Sequence, residues 1–234
     1  METVVKIEKE QLSENTQTVS SDVDDVSAAE VINVSLSCVS GSRTYLFFKR
    51  AFDIAASLIS GIILFIPMLI ISLLILMDSP GPILFRQERL GKDGKPFIIY
   101  KFRSMYIDAE ENGPKWAEKN DRRCTRVGRV LRRSRLDEIP QLWNIIKGDM
   151  SFVGPRPERA YFYDKFETYI HGFRSRLSVR PGLTGLAQVC GGYDLKPEEK
   201  IKYDLEYIQN RSLGMDLRCI FKTARLIFTQ EGAR

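Results

Sequence analysis

The sequence predicts a mainly helical α+β domain that is held at a membrane by a re-entrant helix hairpin. Three observations support this prediction. Residues 55–77 form an uncharged apolar stretch of 23 residues. Basic residues flank the stretch on both sides, and the chain beyond it combines one strand–turn–strand pattern with several helix patterns. We therefore expect a membrane anchor at 43–80, followed at 81–234 by a domain that is large enough to be catalytic.

The first 42 residues differ in composition from the rest of the chain. They contain two basic and eight acidic residues, a net charge of −6, and no aromatic residue. This composition predicts an acidic, mostly disordered tail over 1–42. A short strand within 32–39 is an alternative that plain disorder outweighs. The tail also lacks the basic start that is typical of a secretory signal peptide.

The apolar stretch 55–77 would be about 34 Å long as one helix, enough to span a bilayer core of about 30 Å. However, Pro67 near its midpoint removes a helix hydrogen bond and forces a bend. Positive charge marks the cytoplasmic side of a membrane, and here it stands on both flanks. The sequence therefore favours a segment that enters, bends at Pro67 and returns, with a spanning helix as the alternative.

The remaining elements follow in order. Strands at 83–87 and 97–101 flank the turn sequence Gly91-Lys-Asp-Gly, which predicts a β-hairpin, and 107–119 reads as a loop or short helix. We predict a basic helix at 125–135 and further helices at 158–169, 197–210 and 216–229. The last of these carries an apolar stripe that either docks on the core or lies as an interfacial amphipathic helix among the lipid headgroups.

The stretch 132–157 contains most of the candidate catalytic and substrate-binding residues. Leu142, Ile145 and Ile146 have helical spacing, and Pro140 is tolerated only in a first turn, so the helix begins near Asp137. Asp137 and Glu138 then lie where the helix dipole favours ionised carboxylates, suited to a nucleophile or a magnesium ligand. The alternative is that Ser134 and Asp137 only cap a helix.

Cationic side chains surround this acidic pair. Arg132 lies just upstream, and the prolines of Gly154-Pro-Arg-Pro stiffen the backbone on both sides of Arg156. In Val179-Arg-Pro-Gly-Leu-Thr-Gly, Pro181 stiffens the chain beside Arg180, and the glycines would let the backbone approach an anion. Carboxylates with arginines suit a Mg²⁺-bound diphosphate. The strand segment at 100–105 adds Lys101 and, as a weaker candidate, Arg103.

Charge and motifs also limit the class of partner. Residues 43–234 hold 33 basic and 22 acidic residues, a net charge of +11, which suits phosphate-bearing substrates and anionic membrane lipids. Nucleic acid would be attracted for the same reason. The P-loop motif is missing, so kinase-like use of a nucleotide is unsupported. The four cysteines lie far apart, which predicts neither a zinc site nor an oxidising compartment.

Five ordered motifs resemble those of bacterial sugar transferases, the monotopic polyprenyl-phosphate phosphoglycosyltransferases. The similarity covers roughly 43–234. The motifs are Lys-Arg-x-Phe-Asp at 49–53, Tyr-Lys-Phe-Arg-Ser-Met at 100–105, Leu-Asp-Glu-x-Pro-Gln-Leu at 136–142, Lys-Gly-Asp-Met-Ser-Phe-Val-Gly-Pro-Arg-Pro at 147–157 and Val-Arg-Pro-Gly-Leu-Thr-Gly at 179–185. By this resemblance Asp137 would be the nucleophile and Glu138 its acid/base or metal-orienting partner.

The resemblance implies transfer of a sugar 1-phosphate from a UDP-sugar to undecaprenyl phosphate, as in the first membrane step of exopolysaccharide assembly. A phosphosugar-aspartyl intermediate would form, UMP would leave, and Mg²⁺ bound to Asp137 would assist. The domain would lie on the cytoplasmic face of the bacterial inner membrane, with no nucleic-acid partner. A homodimer is compatible with the sequence. Two alternatives are a non-catalytic membrane-tethered scaffold that binds anionic lipid and a nucleic-acid-binding module.

Overall fold

The computed structural model describes residues 32–36, 39, 41–109, 121–191 and 195–229, except for the side chains of Ile227 and Phe228. Most of the predicted tail and most of the predicted loop at 107–119 lie outside these residues. Helices predominate over short strands, which agrees with the predicted fold class. The elements are β1 (Ile32–Asn33), α1 (Arg43–Ile63), α2 (Phe65–Asp78), β2 (Leu84–Leu90), β3 (Pro96–Phe102), α3 (Arg126–Ser134), α4 (Leu142–Lys147), β4 (Ser151–Val153), α5 (Ala160–Glu167), β5 (Ile170–His171), β6 (Gly182–Thr184), α6 (Leu186–Cys190), α7 (Pro197–Asn210) and α8 (Leu213–Thr229).

The apolar stretch forms two helices. Among the described residues no single helix is long and apolar enough to cross a membrane, whereas α1 and α2 together are, and they bend by 62°. The break falls at Leu64, three residues before the predicted bend. Pro67 is the third residue of α2, where its missing N–H is tolerated, and its ring would clash with the carbonyl four residues earlier. The chain therefore bends ahead of the proline.

Both of these helices dock on the rest of the chain. In α1, Arg50 donates to the carbonyl oxygens of Ile145 and Ile146 at the end of α4, at 2.6 and 2.7 Å. At the end of α2, Asp78 accepts from the backbone N–H of Val127 at 3.0 Å. The side chains around the break face outward and are exposed. They are Ile59, Ile62, Ile63, Phe65, Ile66, Leu69 and Ile70.

The segment before α1 is also docked. β1 pairs in parallel with β5, and the N–H of Val34 donates to the carbonyl of His171 at 2.8 Å. Val34 and Leu36 pack against the largest apolar core. Disorder was the preferred prediction for this segment, and for residues 32–36 it is wrong, because strand pairing and apolar burial stabilise them together.

The described part of the chain contains three two-stranded sheets, and the domain after the apolar stretch contributes strands to all of them. β2 and β3 form the predicted antiparallel hairpin, and β4 pairs in parallel with β6. The largest core gathers side chains from α5, α7 and the 3₁₀ helix at Phe173–Ser178. A smaller core joins Ile71 and Ile75 of α2 to Phe102 and Leu131, and another includes Leu64 at the break, so the apolar stretch packs on the domain at more than one place.

The C-terminal helices agree with the predicted pattern. α7 has the predicted bounds, with Pro197 as its first residue, and α8 begins at Leu213, three residues earlier than predicted. On α8, Cys219 is fully buried against the core, whereas Leu217 and Phe221 are exposed. One edge of the apolar stripe therefore docks on the core, as one of the two alternatives held, while the other edge is exposed; its position among lipid headgroups stays a prediction.

Candidate active site

The acidic pair lies in a tight 3₁₀ turn between two helices. α3 ends at Ser134, Arg135 adopts a left-handed conformation with φ of 59°, and a 3₁₀ helix at Leu136–Gln141 leads into α4. The predicted helix start near Asp137 is confirmed within a residue, although the first turn is 3₁₀. The hydroxyl of Ser134 donates back to the Val130 carbonyl at 2.8 Å, so Ser134 caps nothing downstream. The capping alternative is thereby removed.

Glu138 is held by two cations. Lys101 Nζ lies 2.9 Å from Glu138 Oε1, and Arg156 binds both carboxylate oxygens, with its Nη1 3.3 Å from Oε2. β3 supplies the lysine and the loop after β4 supplies the arginine. Burial acts to raise the pKa of Glu138, but the charges of Arg156 and Lys101 prevail and hold it far below its usual range. Glu138 is therefore ionised at any working pH.

Asp137 has no such partners. Its side chain is 8% exposed, and no side chain in the described part of the molecule donates a hydrogen bond to it. Burial and the adjacent charge of Glu138 raise its pKa to about 6, against the opposing effect of Lys101, Arg156 and Arg132. The sequence predicted a carboxylate that a helix dipole keeps ionised. The structure instead contains one whose ionisation is resisted by its surroundings, as in many reactive acids.

The loop that carries Arg156 is fixed from behind. Arg176 is fully buried, pairs with Asp204 at 2.6 Å and donates to the backbone carbonyl of Arg156 at 2.9 Å. Next to it, Glu158 accepts from Lys200 at 2.6 Å. These contacts hold the backbone on both sides of Arg156, so its side chain keeps its position when an anion arrives.

The glycines of the two proline-rich motifs serve packing between backbones. A Cβ on Gly182 would lie 2.1 Å from Gly154 N, and one on Gly185 would lie 2.2 Å from Gly154 O. Gly154 in turn donates to the Thr184 carbonyl at 2.9 Å. We expected Gly182 and Gly185 to let the backbone approach an anion. They let β6 approach the loop after β4, which is what places Arg156.

The other predicted site residues divide into two groups. Arg132 and Lys101 lie near Asp137, since their charges act on its pKa, and Arg132 also donates to Cys124 Sγ at 3.1 Å. Arg103 is elsewhere: it is 5% exposed and binds the carbonyl oxygens of Ser79 and Pro80 at the end of α2. It therefore caps the end of α2, and these contacts argue against the substrate contact predicted for it.

Arg180 is also separate from the acidic pair. It is exposed, its Nε donates to the Gly148 carbonyl at 3.1 Å, and it lines a cavity whose walls include neither Asp137 nor Glu138. Asp149, which could have completed a metal shell, instead accepts from Asn144 at 3.3 Å and pairs with Lys147 at 3.2 Å. It supports the loop after α4.

The donor set limits how Mg²⁺ could be held. No group of three or more acidic, histidine or cysteine side chains is placed to bind a metal within the described ranges. Lys101 and Arg156 occupy the oxygens of Glu138, whereas those of Asp137 are free. Mg²⁺ in phosphoryl-transfer sites commonly takes one or two carboxylates and completes its shell with substrate phosphates and water. Asp137 fits that arrangement as the single protein ligand.

Gln141 is a site residue that sequence reasoning missed. It lies one 3₁₀ turn after Glu138, is fully buried, and neither its Oε1 nor its Nε2 has a hydrogen-bond partner. Its position in the motif at 136–142 was visible, but nothing in the spacing showed that it is buried and unsatisfied. No sequence pattern indicated that Arg176 pairs with Asp204, because the two residues lie 28 positions apart.

Comparison with known proteins identifies the family. Residues 44–230 match the family model described as bacterial sugar transferase. The chain is 48% identical over 197 residues to the UDP-N-acetylgalactosamine-undecaprenyl-phosphate N-acetylgalactosaminephosphotransferase of Aeromonas hydrophila, covering 82% of this chain and 46% of that protein. It is 54% identical over 134 residues to a putative undecaprenyl-phosphate N-acetylgalactosaminyl 1-phosphate transferase of Bacillus subtilis, covering 57% and 74%.

A third relative carries a different sugar in its name. The chain is 43% identical over 194 residues to the UDP-glucose:undecaprenyl-phosphate glucose-1-phosphate transferase of Caulobacter vibrioides, covering 79% of this chain and 71% of that protein. It spans about half the length of the Aeromonas relative. The resemblance read from the five motifs is confirmed, and the chain belongs to the bacterial sugar transferase family.

Proposed function

We propose that this protein transfers a sugar 1-phosphate from a UDP-sugar to undecaprenyl phosphate, through a covalent intermediate on Asp137 and with release of UMP. The observation that carries the proposal is the contrast within the acidic pair. Glu138 is paired with Lys101 and Arg156, whereas the neighbouring carboxylate of Asp137 is unpaired and has a pKa of about 6. A free, partly desolvated carboxylate beside three cations suits attack on a phosphorus atom.

In the first step, an oxygen of Asp137 attacks the sugar-proximal phosphorus of the donor. The bond between that phosphorus and the bridging oxygen breaks, and UMP leaves with the electron pair. Lys101, Arg156 and Arg132 all act on the charge of this carboxylate and would attract the diphosphate oxygens. Lys101 and Arg132 also keep N–H groups beyond the single contact that each makes. They would stabilise the charge that develops in the transition state.

In the second step, an oxygen of undecaprenyl phosphate attacks the same phosphorus. The Asp137–phosphorus ester breaks, the carboxylate is regenerated, and the sugar remains on the lipid diphosphate. Glu138 is too strongly ionised to act as the acid that the resemblance implied. Its proposed role is to position Lys101 and Arg156, which it holds at 2.9 and 3.3 Å.

Asp137 would hold Mg²⁺ together with the diphosphate of the donor. The bound ion supplies charge neutralisation for the departing UMP. Since only one protein carboxylate is available, we expect the ion to arrive with the donor and to bind the free protein weakly. EDTA should therefore stop turnover but leave the Tm of the donor-free protein unchanged.

We also propose that the anchor is re-entrant and that the domain lies on the cytoplasmic face of the bacterial inner membrane. Residues 32–36 before the hairpin and β2 after it belong to the same folded body, and both arms dock on it. Both ends of the hairpin would then be on one side of the bilayer. Such a position brings Asp137 to the level of the lipid phosphates, where the soluble donor and the lipid acceptor can both reach it.

An assay of UMP release tests the reaction class and the donor together. The panel should include UDP-N-acetylgalactosamine, UDP-glucose and UDP-galactose, because related proteins are named for these different sugars at similar identities. Incubation with donor alone should add one sugar phosphate to the intact mass of the protein, on Asp137. Turnover that needs both substrates together, with no adduct, would favour direct transfer. No turnover with any donor would favour the anionic-lipid scaffold or the nucleic-acid module.

A further inference from the structure

A second region with the features of a ligand site lies between α1 and α8. It consists of two adjoining cavities, a basic cavity of about 290 Å³ and an apolar groove of about 260 Å³. Lys49, Asp53 and Val153 line both of them, so the two cavities adjoin, and we refer to them together as the depression. Neither cavity includes a residue of the acidic pair.

The basic cavity has a strong excess of positive charge. Five cationic side chains line it against one carboxylate; these are Lys49, Arg50, Lys92, Arg180 and Arg211, with Asp53. That carboxylate already accepts from Ser151 Oγ at 3.1 Å and from Phe152 N at 3.0 Å. Arg50 donates to two carbonyl oxygens and its charge acts on Asp53, and Lys49 pairs with Asp216 at 3.0 Å. Lys92 and Arg180 are exposed. This arrangement suits a phosphate group.

The apolar groove opens toward the anchor. Phe48 and Phe52 of α1 form one wall and Leu213 and Leu217 of α8 form the other, and all four are between 41% and 53% exposed. An exposed apolar surface of this kind, next to the exposed anchor hairpin, is expected to contact lipid chains. The depression as a whole therefore combines a site for an anionic head with a site for an apolar chain.

We propose that this depression binds one anionic phospholipid, with its phosphate at the exposed cations Lys92 and Arg180 and an acyl chain between α1 and α8. The lipid would tie the anchor to the C-terminal helix. A nucleotide does not fit, because the groove offers its base and ribose mainly apolar walls. The polyprenyl acceptor does not fit either. Asp137 precedes α4, whereas Arg50 binds the far end of that helix, and α4 alone is about 9 Å long.

Native mass spectrometry of the full chain in detergent, titrated with phosphatidylglycerol or phosphatidylcholine, tests the proposal. We expect one phosphatidylglycerol per chain, bound at least about tenfold more tightly than phosphatidylcholine. Lys92→Gln should weaken phosphatidylglycerol binding about fivefold, whereas Lys95→Gln, in the same turn but outside the cavity, should not. Leu217→Gln should weaken it and Phe221→Gln, one turn further along α8 and outside the groove, should not.

Four outcomes would overturn the proposal. Equal binding of the two phospholipids would remove the role of charge, and equal effects of the two lysine variants would remove the role of the cavity. Displacement of phosphatidylglycerol by excess inorganic phosphate would show a phosphate site without a lipid chain. Displacement by an equal amount of undecaprenyl phosphate would assign the depression to the acceptor. None of these readouts depends on catalysis, so they are independent of the proposed reaction.

Discussion

Asp137 and Glu138 are adjacent and both buried, yet the described residues provide partners for only one of the two carboxylates. Glu138 binds Lys101 and Arg156, and Asp137 binds no side chain. The fixed charge of Glu138 helps to keep the pKa of Asp137 raised, at about 6. One member of the pair is thus a permanent anion that organises two cations, and the other remains available for chemistry. The predictions below follow from this division.

Asp137→Asn should abolish turnover and yet stabilise the fold at neutral pH. Loss of a covalent nucleophile reduces kcat by about 10⁴-fold or more. The folded pKa of Asp137 is about 6 against 3.8 for the ordinary group, so its favourable contribution to stability is present below pH 3.8 and lost as pH rises through 6. We therefore expect a higher Tm than wild type at about pH 8 and an equal Tm at about pH 4.

Asp164→Asn provides the matched control for this substitution. Asp164 is an exposed aspartate on α5 that pairs with Arg174. Its replacement should change neither turnover nor the pH dependence of Tm. If Asp137→Asn retained activity, Asp137 would not be the nucleophile. A lower Tm at about pH 8 would show that the buried carboxylate stabilises the fold and that its pKa is not raised.

Glu138→Gln should shift the pH profile of the enzyme. In the wild type, kcat/KM should rise with pH through about 6 as Asp137 ionises. Removing the charge of Glu138 removes a cause that raises the pKa of Asp137, while Lys101 and Arg156 continue to lower it. The acid limb of the pH profile should then move below pH 6. The value of kcat should also fall, because Lys101 and Arg156 lose the carboxylate that positions them. Glu206→Gln, on the exposed side of α7, should leave the limb in place. An unmoved limb in Glu138→Gln would contradict the coupling.

Much of the architecture could be predicted because local patterns decide it. The uncharged stretch, Pro67, the turn at Gly91 and the first-turn proline of α7 each fix a backbone choice within a few residues. The exact bend at Leu64 could not be predicted, since a proline within the first turn moves the break ahead of itself. The docking of β1 on β5 could not be predicted either, because its partner lies about 140 residues away.

Some members of the candidate site could be predicted from the sequence, but most of their contacts could not. Motifs located Asp137, Glu138 and Arg156, because acidic and stiffened basic residues at close spacing are unusual. Sequence patterns do not report which cation pairs with which anion. They therefore grouped Arg103 and Arg180 with the acidic pair, whereas Arg103 caps α2 and Arg180 lines a separate cavity. Those assignments depend on tertiary contacts between residues far apart in the chain.

Arg103→Gln should destabilise the protein without changing its affinity for the donor. The guanidinium donates to the carbonyl oxygens of Ile75, Ser79 and Pro80, which end α2 and have few other partners there. Each buried carbonyl left unsatisfied reduces stability by about 1–3 kcal/mol. We expect a Tm several degrees lower and an unchanged KM, measured against Arg129→Gln on the exposed face of α3. A raised KM with an unchanged Tm would restore Arg103 to the substrate site.

Gln141→Leu should lower turnover without lowering the stability of the fold. Both polar atoms of the Gln141 amide are buried without a partner, and unsatisfied groups of this kind each reduce stability by about 1–3 kcal/mol. Leucine has a similar volume and needs no hydrogen bond, so Tm should stay equal or rise. We expect turnover to fall at least about tenfold, because the amide is an unsatisfied polar group one 3₁₀ turn from Glu138. The half-buried Gln209 of α7 supplies the control, Gln209→Leu. Full activity in Gln141→Leu would show that the amide only fills space.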